Sequence, residues 1–150
     1  MRIFLFSLLF ATSLFAKIEI AAAYPYIGEL TKTIAKGKAN VVVLSRGDWD
    51  PHFVVPKPSL VSKLRNADLL ILNGASLEIG WLPPLISSAH NAKIQKGAKG
   101  YLELSDYVKL KDIPGEVDRS MGHVHVEGNP HVAVDPHNRI PLAEVIMLTL

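Results

Sequence analysis

The sequence contains no cysteine, and this absence excludes several kinds of chemistry. A chain without cysteine forms no disulfide and offers no thiolate to a metal ion, so histidine and carboxylate are the side chains left as ligands. The sequence also lacks the cysteine on which bacterial lipoproteins are acylated after their signal sequence. If the chain is exported, we therefore expect a soluble form without disulfides or a lipid anchor.

Aromatic residues are scarce, at 7% of the sequence, and no basic run is interleaved with them. The formal net charge is only +2, and acidic and basic residues are mixed along the chain. Nucleic-acid-binding domains usually carry a concentrated basic patch, so we expect no nucleic-acid partner. Apolar residues make up 49% of the 150 residues, which is enough for one globular domain with a core.

The apolar run near the N-terminus is too short to cross a membrane. Residues 3–15 are almost wholly apolar, but a spanning helix needs roughly 20 residues. The run follows Met1 and Arg2 and ends at the small residue Ala16, which is the order found in secretory signal peptides. We predict that residues 1–16 are a cleavable signal peptide and that the remainder is periplasmic. A membrane anchor or a buried helix is the alternative interpretation.

The rest of the sequence alternates between strand-like and helix-like segments. The predicted strands are four β-rich runs that begin at Lys17, Asn40, Asp68 and Gly100. The continuous β-branched run at residues 40–45 predicts a strand covered on both faces. Ser59 is the predicted N-cap of the second helix, and Pro83 and Pro84 fall in the first turn of the third. This alternation predicts an α/β fold with a largely parallel four-stranded sheet flanked by helices.

The last segment, residues 138–150, has the pattern of a helix that is still strongly apolar where the sequence stops. A helix usually closes with a cap or a polar last turn, and exposed apolar surface usually has a partner. We therefore expect residues 138–150 to be the start of a longer helix, in a chain that is cut short.

Four of the six histidines fall in the stretch "HVHVEGNPHVAVDPHN". His131 belongs to this stretch, after the fourth predicted strand, whereas His52 follows the second strand in "DWDPHF". Ligands of open α/β sheets bind at the carboxyl ends of the strands, so both imidazoles are expected at that edge. Pro51 and Pro130 restrict the backbone beside them. We predict that His52 and His131 bind a divalent transition metal; an ordinary surface turn is the alternative for each.

The remaining polar candidates have weaker predictions. His123 and His125 form His-Val-His, and alternate side chains of an extended segment point the same way, so both are possible accessory metal ligands. A solvated loop without metal is an equally good interpretation. Asp135 is a candidate helix cap, or a partner that fixes the tautomer of a ligating histidine. His137 has no assigned role, and His90 is predicted to end a helix, where its ring favours the dipole.

Two histidines do not complete a metal site. Zinc takes four ligands, or three and a water molecule when it catalyses a reaction. Without thiolates, the available ligands suit zinc, manganese, iron or nickel. A zinc hydrolase is the weaker alternative, because "HVHVEG" lacks the Asp-His continuation of metallo-β-lactamases and no Gly-x-Ser-x-Gly motif occurs. These missing motifs argue against an enzyme.

The segments "GDWDPHFVVPKPSLVSKLRNADLLILNGASLEIGWL" and "GNPHVAVDPHN", followed by an apolar helix, closely resemble the zinc- and manganese-type solute-binding proteins of bacterial ABC importers. The resemblance covers residues 17–150. It implies two α/β lobes joined by a long helix, with the metal between them. Residues 17–137 would form the N-terminal lobe and residues 138–150 the start of the connecting helix. His52 and His131 would be ligands, and the other lobe would supply two more.

The resemblance also implies a divalent metal ion as cargo and a membrane permease as partner. A histidine-rich loop before the second motif is typical of zinc importers, so the shortened "GHVHVEG" favours Zn(II), with Mn(II) as the alternative. If the chain truly ends at Leu150, a weak periplasmic metal buffer or a non-functional remnant is the alternative. An adhesin role, known for some members of the family, is neither supported nor excluded.

Overall fold

The computed structural model describes residues 17–115 and 125–150. Within these residues a parallel sheet has the strand order β2-β1-β3-β4. The strands are β1 (Ile18–Ala22), β2 (Ala39–Val43), β3 (Leu69–Leu72) and β4 (Tyr101–Glu103). The predicted parallel four-stranded sheet is confirmed. The segment predicted as a signal peptide, residues 1–16, and His123 lie outside the described residues.

Helices flank the sheet, and the first three begin at or next to proline. Proline is tolerated there because the N–H groups of the first helical turn have no acceptor within the helix. The α-helices are α1 (Pro25–Ala35), α2 (Pro58–Arg65), α3 (Leu82–Ala89) and α4 (Arg139–Thr149). Short 3-10 turns occur at Ala92–Ile94, Leu104–Tyr107, Val132–Val134 and Pro136–Asn138. Within the described residues, no helix has the length and apolarity needed to cross a membrane.

Two local predictions are wrong. Ser59 is not the N-cap of α2, because Pro58 already begins the helix and Lys57 occupies the cap position without a side-chain hydrogen bond. The fixed φ of proline suits the first helical position, so the helix already begins at Pro58 and Ser59 lies within its first turn. The strand covered on both faces is β3, whose four residues are all buried, and not β2, which lies at the sheet edge and is half-buried or exposed.

The core lies on both sides of β1 and β3. Ile20, Leu70 and Trp81 are essentially inaccessible to solvent. The helix α1 packs closely on β2 through Gly28, where an added Cβ would lie 2.5 Å from Cγ2 of Val43. Because the strands are parallel, their carboxyl ends share one edge, and the loops that carry the candidate site leave the sheet there.

The C-terminal helix α4 begins at Arg139, one residue later than predicted, and packs against α1. Its inner face buries Leu142 and Val145, as well as Ile146. The outer face remains apolar: Met147 and Leu148 are exposed. The boundaries predicted for the two-lobe arrangement stay a prediction.

Candidate metal centre

Three histidine rings lie together beyond the carboxyl edge of the sheet. The ring centre of His52 is 5.2 Å from that of His125 and 5.6 Å from that of His131. Two imidazoles bound to one tetrahedral metal ion, with metal–nitrogen distances of about 2.0–2.1 Å, have ring centres roughly 5 Å apart. The rings therefore have the spacing expected of ligands that share one ion.

The rings do not form a finished coordination shell. The planes of His52 and His131 are inclined by 76°, and those of His52 and His125 by 34°. In residues 17–115 and 125–150, no group of three or more histidine, aspartate or glutamate side chains is placed so that it could hold a metal ion. Binding would therefore require ring rotation, or further ligands from outside the described part of the chain.

The clustered rings face an open cavity of about 480 Å³. Two carboxylates, those of Asp50 and Asp112, also line it, together with the exposed ring of Phe53. Negative charge at the wall of an accessible cleft attracts cations. The cavity therefore combines access from solvent, three imidazole rings and an acidic wall.

The same local turn presents His52 and His131. The backbone N–H of His52 donates to Oδ1 of Asp50 at 2.9 Å, and the backbone N–H of His131 donates to Oδ1 of Asn129 at 3.0 Å. In both turns a proline stands between the two partners and fixes its own φ. Each ring is therefore presented by a short Asx-Pro-His turn, although neither lies on a regular helix or strand.

Buried donors anchor the first of these turns to the core. The carbonyl of Pro51 accepts hydrogen bonds from the hydroxyl of Tyr24 at 3.0 Å and from Nε1 of Trp81 at 3.1 Å. Burial, with the nearby charge of Glu78, raises the pKa of Tyr24 well above its ordinary value, so the phenol keeps its proton and remains a donor. Sequence reasoning missed both donors, because a bond to a distant backbone carbonyl leaves no local motif.

The carboxylate of Asp135 contacts Lys111 and His137. It accepts a hydrogen bond from Nζ of Lys111 at 2.7 Å and from the backbone N–H of His137 at 3.0 Å, and it lies 2.9 Å from Nδ1 of that ring. These contacts, Lys111 first, hold the pKa of Asp135 well below its usual range. Of the two roles considered for Asp135, the structure shows the cap, at the start of Pro136–Asn138, and the ring that it contacts is His137.

The other described histidines lie outside the cluster. His137 occupies a third Asx-Pro-His turn, and its side chain is 94% exposed. His90 ends α3 in a left-handed conformation, with φ of 51°, as the C-cap residue. The cluster therefore contains His52, His125 and His131 among the residues that the structure describes.

The match to a known family is broad. Residues 20–150 match the family model described as zinc-uptake complex component A, periplasmic (ZnuA). The chain belongs to this family of metal-importer solute-binding proteins, so the resemblance drawn from the two histidine motifs is confirmed.

Curated relatives and a solved structure agree with this assignment. The metal ABC transporter substrate-binding lipoprotein SloC of Streptococcus mutans is 31% identical over 137 residues, which are 89% of this chain and 42% of that protein. The zinc-binding lipoprotein AdcA of Streptococcus pneumoniae is 28% identical over 130 residues, 87% of this chain and 26% of that protein. The chain thus spans less than half the length of these relatives.

The Mn-bound periplasmic metal binding protein of Candidatus Liberibacter asiaticus superposes with a TM-score of 0.65 at 24% identity, over 87% of this chain and 43% of that one. At this identity the likeness supports the fold alone. The matched family and the curated relatives are solute-binding proteins and not enzymes, which agrees with the prediction that this chain is not an enzyme.

Proposed function

We propose that this chain supplies His52 and His131 to a site for a divalent transition-metal ion, which is captured outside the cytoplasmic membrane and delivered to the permease of an ABC importer. The observation that carries the proposal is the 5.6 Å spacing of the two rings. Two rigid Asx-Pro-His turns present those rings, which reduces the entropy lost when the ligands are ordered around an ion.

The delivery step is supported by family membership. The relatives named above include a metal ABC transporter substrate-binding lipoprotein and a zinc-binding lipoprotein. For this chain we propose export to the periplasm, with residues 1–16 as the signal peptide, because their charge and apolar order match such signals. Binding requires neutral imidazole, so acid, or movement of the other ligands, would release the ion.

We propose Zn(II) as the preferred ion and Mn(II) as the alternative. The ring of His125 lies 5.2 Å from that of His52 and adds a third imidazole to the cavity. Imidazole nitrogen suits zinc, whereas sites rich in carboxylate and water suit manganese. His125 and the neighbouring His123 are proposed as accessory ligands that bring metal to His52. The comparisons include both a zinc-binding and a Mn-bound protein, so they do not decide between the two ions.

The test is a metal titration of the purified chain by calorimetry, with competition against a chromophoric chelator. His52→Ala and His131→Ala are each expected to weaken Zn(II) binding by at least about tenfold, or about 1.4 kcal/mol. The matched control is His137→Ala, because His137 occupies the same kind of turn away from the cluster. Undiminished binding in His52→Ala would refute the assignment.

A weak, exchangeable metal buffer is the second candidate function. It is favoured by the lack, among the described residues, of three ligating side chains placed around one position. The two functions differ in affinity and in dependence on a permease. A dissociation constant well above about 1 μM, or about −8 kcal/mol, together with no effect on cellular metal uptake, would favour the buffer.

A further inference from the structure

Asn73 is a buried asparagine whose side chain makes three hydrogen bonds. The residue is 1% exposed. Its Nδ2 donates to the carbonyl of Pro130 at 2.7 Å and to that of Gly74 at 3.0 Å, and its Oδ1 accepts from the hydroxyl of Tyr26 at 2.6 Å. The amide therefore connects three separate parts of the chain: the end of β3, the helix α1, and the loop that carries His131.

The backbone around Asn73 is held equally firmly. Its N–H donates to Oε1 of Glu78 at 2.7 Å, and its carbonyl accepts from the N–H of Ser105 at 2.8 Å. Glu78 also accepts the N–H of Gly74 at 3.1 Å through its second oxygen. Gly74 has a φ of 81°, and a Cβ there would meet Oγ of Ser105. The base from which the amide reaches towards Pro130 is therefore fixed.

The bond to Pro130 acts directly on the position of His131. Proline has no N–H, so the carbonyl is the only main-chain group through which Pro130 can be held. That carbonyl belongs to the planar peptide unit that ends at Cα of His131. It also accepts the N–H of Val132 at 2.8 Å, which closes a tight turn around His131. Fixing its direction fixes the point from which the imidazole projects.

We propose that Asn73, oriented by Tyr26, is a positioning residue that aims His131 at the metal. Neither side chain needs to touch the ion. The inference rests on the proposed role of His131, and it goes beyond that role in naming the buried pair that sets the ring's position. Groups that orient metal ligands from behind typically change metal affinity by about 10–100-fold when they are removed.

A second asparagine provides a matched control. Nδ2 of Asn91 donates to the carbonyls of Leu64 at 2.9 Å and Ala67 at 2.7 Å. Its chemistry is that of Asn73, a side-chain amide that holds two backbone carbonyls. However, Asn91 follows α3, and the hydrogen bonds of its side chain are to Leu64, Ala67 and Lys93. Loss of Asn91 should therefore lower stability without changing metal affinity.

The experiment measures Zn(II) affinity by chelator competition and stability by urea unfolding of the metal-free chain. Asn73→Ala is expected to weaken binding by about 10–100-fold, and Tyr26→Phe, which removes only the hydroxyl that orients the amide, by a few-fold. Asn91→Ala is expected to bind within about twofold of the wild type at a comparable loss of stability. The ring resonances of His131 should shift in Asn73→Ala and Tyr26→Phe but not in Asn91→Ala.

Each outcome is decisive. If His131→Ala binds zinc normally, the proposed function fails. If His131→Ala loses affinity while Asn73→Ala and Tyr26→Phe bind as the wild type does, the positioning inference alone fails. An equal loss of affinity in Asn91→Ala would also overturn it, because the effect would then be general destabilisation. If Asn73→Ala does not fold, Tyr26→Phe still decides the question.

Discussion

Trp81 donates its indole N–H to the main-chain carbonyl of Pro51 at 3.1 Å, which places a buried ring directly behind the residue that precedes His52. The hydroxyl of Tyr24 donates to the same carbonyl at 3.0 Å. A carbonyl oxygen has two lone pairs, so these two donors use its full capacity and fix its direction. The turn that presents His52 is therefore attached to the core, although the ring itself faces the open cavity.

We expect Tyr24→Phe to lower the free energy of unfolding by about 1 kcal/mol, because it removes one hydrogen bond to the Pro51 carbonyl and keeps the aromatic packing. Zinc affinity should fall at the same time, since the His52 turn is held by one donor in place of two. Urea unfolding and chelator competition measure the two effects. Tyr107→Phe, at an exposed tyrosine, is the control. Normal zinc affinity in Tyr24→Phe would show that the indole alone holds the turn.

The buried carboxyl of Glu78 predicts a stability that depends on pH. Burial raises its pKa from the ordinary 4.5 to about 7, against the lowering effect of the N–H groups of Asn73 and Gly74. Between these values the folded chain keeps the proton and the unfolded chain releases it, so the free energy of unfolding falls as the pH rises. The free energy of unfolding falls by on the order of 3 kcal/mol in total, and the fall is complete above about pH 7.

The measurement is urea unfolding of the wild type and of Glu78→Gln between about pH 4.5 and 8. As the pH rises across this window, the wild type should lose unfolding free energy relative to Glu78→Gln. All other ionisable groups are common to the two proteins, so their contributions cancel in the difference. A difference that stays constant with pH would show that Glu78 ionises at its ordinary pKa.

His125→Ala tests whether His125 is an accessory ligand. Because the ring lies 5.2 Å from His52 but is not in a finished shell, we expect a smaller loss of zinc affinity than in His52→Ala, of about three- to tenfold. Loss of an imidazole should also reduce the preference for Zn(II) over Mn(II). Parallel titrations with the two ions measure both quantities. A stronger preference for Zn(II) in the variant would contradict the proposed role.

Asp135→Asn distinguishes two roles of Asp135, that of a helix cap and that of a hydrogen-bond partner of a metal-ligating histidine. The carboxylate contacts Lys111 and His137, so we expect zinc affinity to stay within about twofold of the wild type. The Lys111 contact should be weakened, which can be followed from the Lys111 side-chain resonances. A tenfold loss of zinc affinity would instead place Asp135 behind a ligating histidine, as the sequence alone allowed.

The order of strands and helices was predictable because each element has a local signal. A β-branched run or a helical spacing of apolar residues is contained in one short stretch of sequence. The alternation of strands with helices then indicates a parallel sheet. Whether β2 or β3 lies at the centre was not predictable, since it depends on which strands pair after the chain has crossed over. The run at residues 40–45 has the composition of a buried strand, but β2 occupies an edge of the sheet, where its residues are half-buried or exposed.

The candidate site also has a part that the sequence predicts and a part that it does not. The rule that parallel strands end at one edge indicated that His52 and His131 would lie near each other, and the structure places their rings 5.6 Å apart; their role as ligands stays a prediction. The groups behind them were not predictable. Tyr24, Trp81 and Asn73 act through bonds to backbone carbonyls, so their partners are set by the packed core and not by spacing in the sequence.

The third Asx-Pro-His turn has a practical use for experiments on this molecule. The backbone N–H of His137 donates to the Asx residue two positions earlier, as in His52 and His131, yet the His137 side chain is almost wholly exposed. In a zinc titration followed by magnetic resonance, its signal would report nonspecific association of the ion with an exposed imidazole. The signals of the clustered rings would report that same association together with specific binding. His137 thus serves as an internal reference. Subtracting its response from that of the clustered rings isolates specific binding without a second sample.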